Sequence, residues 1–500
     1  MVNKVSEFEL GLDSKKHYNE WQNFYYGREY NSWYNYTSAD DLLDNLSDLK
    51  DIIKDFLNHQ VQRLSYLSSY TEGRNYGIMH RKPRNDRSKA DYRICHNYGD
   101  YIATFCSGYI FGNPARIETD DKKSNDIIDN LNRENKLDDL NTELAYDVST
   151  YGRAFEIHYR GQDDKDKVKL SSVFETFLIY DMTVEHKKIA GVRISSFYKN
   201  KKKLYQIILY TDNKRYEFKP TDLTKNNDLI IDKEKPHFYD EVPIIEWKNG
   251  RKRMGDFESA ISQIDAYDSA ESDTTNYMND LNDAMLVVKG DLNRLGLNME
   301  NMSKEKRKLI ESLREDNILF LYTGINAQGE QTNLEADYIY KQYDVAGTEA
   351  HKERIDKDIH KFTQTPDLTD EKFSGNKSGE AMKYKTYGLD LKSGTKLNEF
   401  SDCLKNRYRL INNIRKNTSD DEIDIENIKI TFKPKFPENI WNEIETFVSV
   451  GGRISNRTLI DKLDAVNSTD DEIERLKDEE GLDPYNDDFN SLKGAMIDEE

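Results

Sequence analysis

The chain has 500 residues, with 73 Lys and Arg against 93 Asp and Glu, so its formal net charge is −20. That length is typical of roughly two to four domains. The acidic excess excludes a general nucleic-acid coat protein, which would neutralise phosphates with clustered Lys and Arg, so any DNA contact must be local or transient. Mean hydropathy is −0.89, and the best apolar run, Ile102 to Phe111, is too short to span a bilayer. We therefore expect a soluble chain with no membrane partner.

Targeting and cysteine signals point to a reducing compartment. Residues 1–16 lack the basic start and apolar core of a secretory signal. Cys95, Cys106 and Cys403 cannot all pair with one another and show no CxxC spacing. The sequence therefore predicts neither a disulfide framework nor a zinc site.

The first third of the chain is predicted to be mainly helical. Apolar residues recur at spacings of three and four from Ser38 or Asp40 to about Leu67, which indicates one helical face. The basic segment Met79 to Lys89 is interpreted as a solvated connector. A short buried helix is predicted from Asn97 to Phe111, and another helix from Asp126 to Val148.

After Tyr151 and Gly152 the apolar period changes to two, which is typical of strands. Turn residues such as Gly161 and Gly191 separate the short runs. The segment is predicted to be an α+β domain that closes near Trp247. The predicted strands are Ala154 to Tyr159, Phe174 to Tyr180, Val192 to Tyr198, Leu204 to Tyr210 and Tyr216 to Phe218.

The segment from Gly255 to Val288 contains no Pro, Lys or Arg and is predicted to be one long helix of about 50 Å. Like charges without counterions destabilise a helix. Two interpretations remain open: a solvated helix face, or a face that meets other chains or a water-filled space. Its acidic residues are Asp256, Glu258, Asp265, Asp268, Glu271, Asp273, Asp280 and Asp283.

The remaining elements alternate between helices and short strands. Residues 289–343 are predicted to form a small insert, and the loop Asp367 to Gly379 precedes a long helix with a kink near Gly388 or Gly394. The other predicted elements are a helix from Ser303 to Leu313, strands Ile318 to Tyr322 and Tyr338 to Tyr343, a helix from Glu349 to Phe362, a long helix from Glu380 to Lys416 and a strand from Ile428 to Phe432.

Catalytic motifs are absent from the sequence. It contains neither a GxxxxGK[ST] phosphate loop nor GxSxG. Its nine His residues never form HExxH or a dense cluster with carboxylates at ligand spacing. We therefore predict no enzymatic activity, no cofactor and no metal site.

The order of several segments resembles the portal proteins, or head-tail connectors, of tailed bacteriophages, in the branch common in siphoviruses of Gram-positive hosts. The resemblance covers nearly the whole chain, and its collinear set of segments is more specific than any one of them. The segments are Asn97 to Pro114, Ser149 to Tyr159, Val242 to Trp247, Ile264 to Asp273, Asn279 to Gly290, Phe373 to Lys385, Ile454 to Leu463 and Asp471 to Glu480.

The resemblance implies a mainly helical α+β portal fold, with wing, stem, clip and crown regions, that assembles as a ring, usually of twelve subunits, at one capsid vertex of the virion. Double-stranded DNA would pass along the ring axis during packaging and ejection. The implied regions are 1–253 as wing, 254–286 as stem helix, 287–343 as clip, 344–365 as second stem helix, 366–379 as channel loop, 380–445 as long helix and return to the wing, and 446–500 as crown.

The resemblance also implies partners: the large terminase subunit and the head-completion adaptor at the clip, and the major capsid and scaffold proteins, with assembly in the bacterial host cytoplasm. An acidic wall would let phosphates slide without sticking. The implied residues are Lys372, Phe373, Gly375, Asn376, Lys377 and Gly379 in the channel loop; Asp265, Asp268, Glu271, Asp273, Asp280 and Asp283 on the channel wall; and Lys304, Lys306, Arg307 and Glu311 for clip docking.

Two other classes of protein remain open as alternatives. A nuclease or a terminase would be an enzyme, and ATP turnover by the purified protein would favour it. A capsid-associated scaffold or structural protein without a DNA channel would be mostly helical and elongated, so the β-rich stretch from Ala154 to Trp247 counts against that class.

Overall fold

The computed structural model describes residues 38–85, 89–181, 183–225, 228–281, 285–290, 318–322, 335–339, 344–367, 379–418 and 420–433, with a few positions between 455 and 477. For residues 281, 285–290, 318–322, 335–339 and 379–386 it describes the backbone alone. The chain forms two compact units, Met1–Asn376 with Met382–Lys435, and Lys377–Ala381 with Phe436–Glu500. The contacts below belong to the first unit.

Helices dominate the N-terminal part of the described chain, as predicted. The Ser38 side chain accepts a hydrogen bond from the backbone N–H of Asp41 and caps the first helix. A π-helical turn, Phe56–Gln60, joins the second helix to the third. The helices are α1 (Ala39–Asp44), α2 (Leu46–Asp55), α3 (Val61–Thr71), α4 (Tyr76–Met79), α5 (Tyr98–Phe111), α6 (Lys122–Asn135) and α7 (Leu137–Tyr151).

The single helix expected from Asp126 to Val148 is two helices, and that prediction is wrong in this respect. Lys136 adopts a left-handed conformation with φ of 52°, which ends α6 and starts α7. Gly152 ends α7 with φ of 80°, and a Cβ at this position would lie 2.1 Å from the carbonyl oxygen of Arg253. Only glycine therefore fits at the junction between α7 and the first sheet.

The β-rich part of the chain forms two antiparallel sheets. A five-stranded meander has the order β4-β5-β6-β7-β8, and a three-stranded sheet has the order β3-β2-β9. The sequence pattern predicts no strand at Arg116–Glu118, Asp166–Ser171, Ile231–Pro236 or Ile244–Lys248. The strands are β2 (Arg153–Arg160), β3 (Asp166–Ser171), β4 (Thr176–Tyr180), β5 (Lys188–Lys199), β6 (Lys202–Tyr210), β7 (Lys214–Phe218), β8 (Ile231–Pro236) and β9 (Ile244–Lys248); the preceding strand β1 is Arg116–Glu118.

One face of the meander packs on the first helices. Leu49, Ile53 and Phe56 are fully buried with Phe177 and Val192 in a single apolar cluster. The rings of Phe56 and Phe177 lie 4.6 Å apart. This cluster is the apolar core that holds α1 and α2 to the sheet.

The described C-terminal half contains three long helices and a small separate sheet. Strands β10 (Met285–Gly290), β11 (Ile318–Tyr322) and β12 (Glu335–Ile339) form that sheet, in which β10 runs parallel to β11 and antiparallel to β12. The other elements are α8 (Ile261–Leu281), α9 (Val345–Thr363), α10 (Gly379–Thr418) and β13 (Lys429–Thr431), which pairs with β1.

Helix α8 is shorter than the sequence pattern suggested. It ends at Leu281 after 21 residues, about 32 Å, and residues from Met285 onward form a strand. The apolar run at Met285 to Val288 pairs in a sheet instead of extending the helix. In contrast, α10 continues for 40 residues through Gly388 and Gly394 as one helix. Within the described residues, no helix has the length and apolarity needed to cross a membrane.

Helix α10 is joined to strand β2 by an ion pair inside the core. Both side chains of Arg407 and Glu156 are fully buried, and two hydrogen bonds of 2.8 and 2.6 Å link them. His158 and the indole N–H of Trp247 also contact Glu156, at 2.8 and 3.1 Å. Burial raises the pKa of Glu156, but Arg407 and His158 outweigh burial and lower it to about 2.

We predict that Arg407→Ala destabilises the protein by about 3 to 5 kcal/mol, because Glu156 is left as an uncompensated buried charge. Arg409 lies on the same helix and pairs with Glu241 at 2.9 Å, but both side chains are partly exposed. Arg409→Ala is therefore the matched control, with an expected loss of under about 1 kcal/mol. Thermal unfolding of both variants tests this, and equal losses would contradict the role of the buried pair.

Candidate functional site

Many of the predicted site residues lie outside the described residues. These are Lys372, Phe373, Gly375, Asn376 and Lys377 of the channel loop, Lys304, Lys306, Arg307 and Glu311 of the clip, and Asp283 of the channel wall. Gly379 is the first residue of α10. The described site residues are thus the acidic side chains of α8.

Asp268 is not available to line a channel. Its side chain is fully buried and accepts hydrogen bonds from Asn75 at 2.5 Å and from the backbone N–H of His96 at 2.9 Å. The His96 ring nitrogen Nδ1 lies 2.9 Å from the same carboxylate. A side chain buried within its own subunit cannot face a lumen, so the prediction for Asp268 is wrong.

The other described acidic residues of the predicted wall also have partners in their own subunit. Asp265 accepts a hydrogen bond from Tyr70, and Glu271 pairs with Lys352 at 3.1 Å. The partners of these acidic side chains therefore come from segments of the same chain that are distant in sequence, which neither of the two interpretations of this helix had named. The two further pairs are Arg81 with Asp273 at 2.7 Å and Arg84 with Asp280 at 2.5 Å.

Residues 91–96 lie along α8 outside any helix or strand, and we call this segment the strap. The backbone N–H of Ile94 donates to Ser272 at 2.9 Å. Asn276 bonds both backbone groups of Tyr92, accepting from its N–H at 2.8 Å and donating to its carbonyl at 3.0 Å. His96 binds Asp268 in the same way. Every second strap residue, Tyr92, Ile94 and His96, therefore binds every fourth helix residue, Asn276, Ser272 and Asp268.

The spacing of this match fits a chain that runs nearly extended along a helix. Four helical residues rise about 6.0 Å, and two extended residues span about 6.6 Å. Side chains at i and i+4 share a helix face, so they meet every second residue of an extended chain. Asp280 lies four residues after Asn276 on α8 and binds Arg84, which precedes the strap. The basic segment Met79 to Lys89, interpreted as a solvated connector, is thus in part tied to α8.

The residues that sequence reasoning missed are Ser272 and Asn276. A signal for them was present, because Asp268, Ser272, Asn276 and Asp280 form a polar stripe with a constant spacing of four. The sequence did not indicate what would cover that stripe.

Ion pairs also anchor the segment just before α8. Asp256 is fully buried between Lys392 at 3.1 Å and Lys396, both on α10. Burial raises the pKa of Asp256, but the two lysines outweigh burial and hold it well below its usual range. Arg63 of α3 pairs with buried Glu258 at 2.5 Å. Helix α8 therefore begins in a region anchored to both α3 and α10.

Asp356, His360 and Asp367 are side chains that could together approach a cation, since a ligand atom from each lies within 4.8 Å of the others. The Tyr98 hydroxyl already donates to Asp356 at 2.5 Å. The His360 ring lies edge-on to Tyr98 and Tyr101. These contacts account for Asp356 and His360 as part of the packing of α9 on α5, and the absence of a metal site stays a prediction.

Comparison with known proteins identifies the class of the chain. It matches the family described as phage portal protein, SPP1 Gp6-like, over residues 50–482. The portal protein of Bacillus phage SPP1 is 21% identical over 431 residues, 83% of this chain and 80% of that protein. The portal protein of Clostridium phage phiCD119 is 24% identical over 343 residues, 65% of this chain and 71% of that protein.

Two solved structures are also similar, each at 12% identity. The neck of an empty gene transfer agent particle has a TM-score of 0.41 and covers 72% of this chain and 88% of its own. The virion of a native gene transfer agent has a TM-score of 0.38 and covers 79% and 91%. Because the family match spans most of the chain, the chain belongs to the SPP1 Gp6-like phage portal protein family. The resemblance inferred from the order of segments, and the mixed α+β fold, are confirmed.

We predict that Ser272→Ala and Asn276→Ala loosen the strap, because each removes side-chain partners of the Ile94 or Tyr92 backbone. Because the strap residues are partly exposed and water can replace some of the lost bonds, the cost should be about 1 kcal/mol. Amide hydrogen exchange of residues 91–96 should accelerate, more for Asn276→Ala because it loses two bonds. Ser262→Ala on the exposed side of α8 is the matched control, and equal exchange in all variants would contradict the strap contacts.

A second prediction concerns Asp265, which lies beside Tyr70 and near Asp268. Burial raises the pKa of Asp265 to about 6, although the Tyr70 hydrogen bond opposes the shift. A raised carboxyl pKa means that the folded state holds its proton longer, so this group lowers stability as pH rises from about 4 to 6. Asp265→Asn keeps an acceptor for Tyr70 and removes the charge.

Relative to the parent protein, Asp265→Asn should gain stability between pH 4 and 6 and reach about 3 kcal/mol above pH 7. Below pH 4 the two proteins should be nearly equal. Thermal unfolding from pH 4 to 8 measures the difference. A gain that does not depend on pH would contradict the assigned titration.

Proposed function

We propose that the chain is the portal subunit of a tailed bacteriophage, which forms a ring, of twelve copies by our expectation, at one capsid vertex of the virion. Membership of the SPP1 Gp6-like portal family over residues 50–482 carries this proposal. The ring conducts double-stranded DNA during packaging and ejection. It acts as a structural protein without catalytic activity, and it is assembled in the host cytoplasm before it enters the capsid.

The same proposal assigns regions and partners. Residues 254–286 and 344–365 form the stem, 287–343 the clip that docks the large terminase subunit and the head-completion adaptor, and 446–500 the crown. The wing, 1–253 with 380–445, meets the major capsid and scaffold proteins. The loop 366–379, with Lys372 and Lys377, reaches toward the DNA.

The contacts of α8 change which acidic residues can act on DNA. A carboxylate with a cation about 3 Å away repels a phosphate less than an isolated carboxylate does. Asp265, Glu271 and Asp280 are partly buried and paired or hydrogen-bonded, so they serve mainly to hold the subunit together. Asp273 also pairs with Arg81 at 2.7 Å, but its side chain is 71% exposed, so it is the strongest candidate among the described residues for the channel wall.

Strong internal anchoring of α8 supports the role of a channel element. Buried ion pairs just before its start link it to α3 and α10, and hydrogen bonds along its length link it to the strap. A wall that DNA passes must keep its shape while charge moves past it. A helix held on several sides by charged and hydrogen-bonded partners meets that requirement.

Negative-stain electron microscopy of the purified full-length chain tests the ring. We expect rings with a central hole, and native mass spectrometry should give twelve copies. Compact monomers at high concentration that also fail to bind a terminase would contradict the proposal. Turnover of ATP by the purified protein would instead favour the enzyme alternative.

We predict that Asp273→Lys leaves the ring intact and lowers the amount of DNA packaged, because every subunit then presents a cation to the phosphates. Glu185→Lys is the matched control, since Glu185 is exposed, pairs with Lys187 and undergoes the same change of charge. Packaged DNA is measured by quantitative hybridisation in phage complementation. Normal packaging by Asp273→Lys would remove this residue from the channel wall.

A further inference from the structure

The hairpin of β5 and β6 ends in a dense group of lysines. The two strands pair to their last residues, Lys199 and Lys202, and a two-residue turn of Asn200 and Lys201 joins them. Both turn residues have positive φ, 52° and 60°, as the tight hairpin turn requires. Lys203 follows, and all these lysines are exposed.

Folding of the hairpin does not explain these lysines. Lys199 and Lys202 lie directly opposite each other, and like charges at such a cross-strand pair are destabilising. Lys201 occupies a left-handed position at which glycine is favoured. A glutamate in place of Lys199 or Lys202, or a glycine in place of Lys201, would stabilise the hairpin more than the lysine does. The lysines therefore serve a contact outside the hairpin.

Counterions from the rest of the subunit do not balance the tip. Within the described residues, none of Lys199, Lys201, Lys202 and Lys203 has a carboxylate oxygen within 4.0 Å, whereas lysines elsewhere on these sheets form such pairs. Lys202 interacts electrostatically with Asp222 over a longer distance. The Asp222 carboxylate already accepts a 2.6 Å hydrogen bond from the hydroxyl of Thr224. The tip is a local excess of positive charge on a chain of net charge −20.

Aromatic side chains accompany the lysines. Tyr198, the cross-strand partner of Lys203, is 76% exposed. The Lys203 ammonium lies 5.2 Å from the centre of the Tyr205 ring. Because side chains alternate along each strand, cations lie on both faces of the ribbon. The tip thus offers several point charges and a flat ring to one extended anionic partner.

We propose that this hairpin tip, residues 197–203, binds the phosphate backbone of duplex DNA without reading its sequence. Protein interfaces are depleted of lysine and enriched in arginine, so an all-lysine cluster favours phosphates over an acidic protein. Lysine binds phosphate as a point charge and needs no fixed geometry, which suits a mobile polymer. This inference rests on the proposed portal function, because that function is what brings the protein into contact with DNA.

Binding of a fluorescent 40-base-pair duplex of mixed sequence to the full-length protein tests the proposal. Replacing the four tip lysines by serine should weaken binding about tenfold or more at 0.1 M salt and reduce the slope of log K against log salt by about 3 to 4. The matched control replaces Lys187, Lys233, Lys235 and Lys252, four exposed lysines outside the tip, and should change affinity less than about twofold.

A single substitution excludes misfolding as the cause. Lys202→Glu replaces a repulsive pair with Lys199 by an attractive one, so it should maintain or raise thermal stability and still weaken DNA binding. Unchanged binding in the tip variants, or equal loss in the control, overturns the proposal. Binding to polyglutamate that depends on the tip, with DNA binding unchanged, assigns the tip to an acidic protein and also overturns it. Rings seen in the same samples separate this inference from the portal proposal.

Discussion

The stripe of polar side chains on α8 is the constraint on which the candidate site depends. Asp268, Ser272 and Asn276 bind alternate residues of the strap, and Asp280 binds an arginine just before it. The carboxylates of such an acidic helix repel one another. The strap and the segment before it lower this repulsion because they supply hydrogen-bond donors and cations to these carboxylates. Because the partners are nearly 200 residues away in sequence, folding of the N-terminal region and formation of α8 are coupled.

Buried charge pairs extend this coupling through the first unit. Glu156 with Arg407, Asp256 with Lys396, and Glu258 with Arg63 each join segments far apart in the chain. Such pairs add little net stability over apolar packing, but removing one partner is costly, so they restrict the arrangements that the helices can adopt. For a subunit that must present one fixed surface to identical neighbours, that restriction matters more than the added stability.

The charged side chains of this protein are therefore of two kinds: some have partners inside the subunit, and others face solvent. The described carboxylates of α8 have partners within the subunit, but Asp273 is mostly exposed despite its pair with Arg81, and the lysines at the β5–β6 tip face solvent. Net charge alone excluded a general nucleic-acid coat protein and left only local or transient contact with DNA. The distribution instead separates a neutralised interior, an acidic exposed position and a basic exposed tip, and these differ in how a phosphate backbone would meet them.

The sequence by itself determined the family, the mixed α+β class and most elements, because apolar periodicity and glycine turns act locally: α5 and strands such as β11 lie where the pattern predicted them. Tertiary structure alone decided that α8 stops at Leu281, that Lys136 divides two helices, and that Asp268 is buried. The end of α8 and the burial of Asp268 both depend on partners distant in sequence. Spacing on a helix shows which residues share a face, whereas the segment that covers this face is decided only when the chain folds.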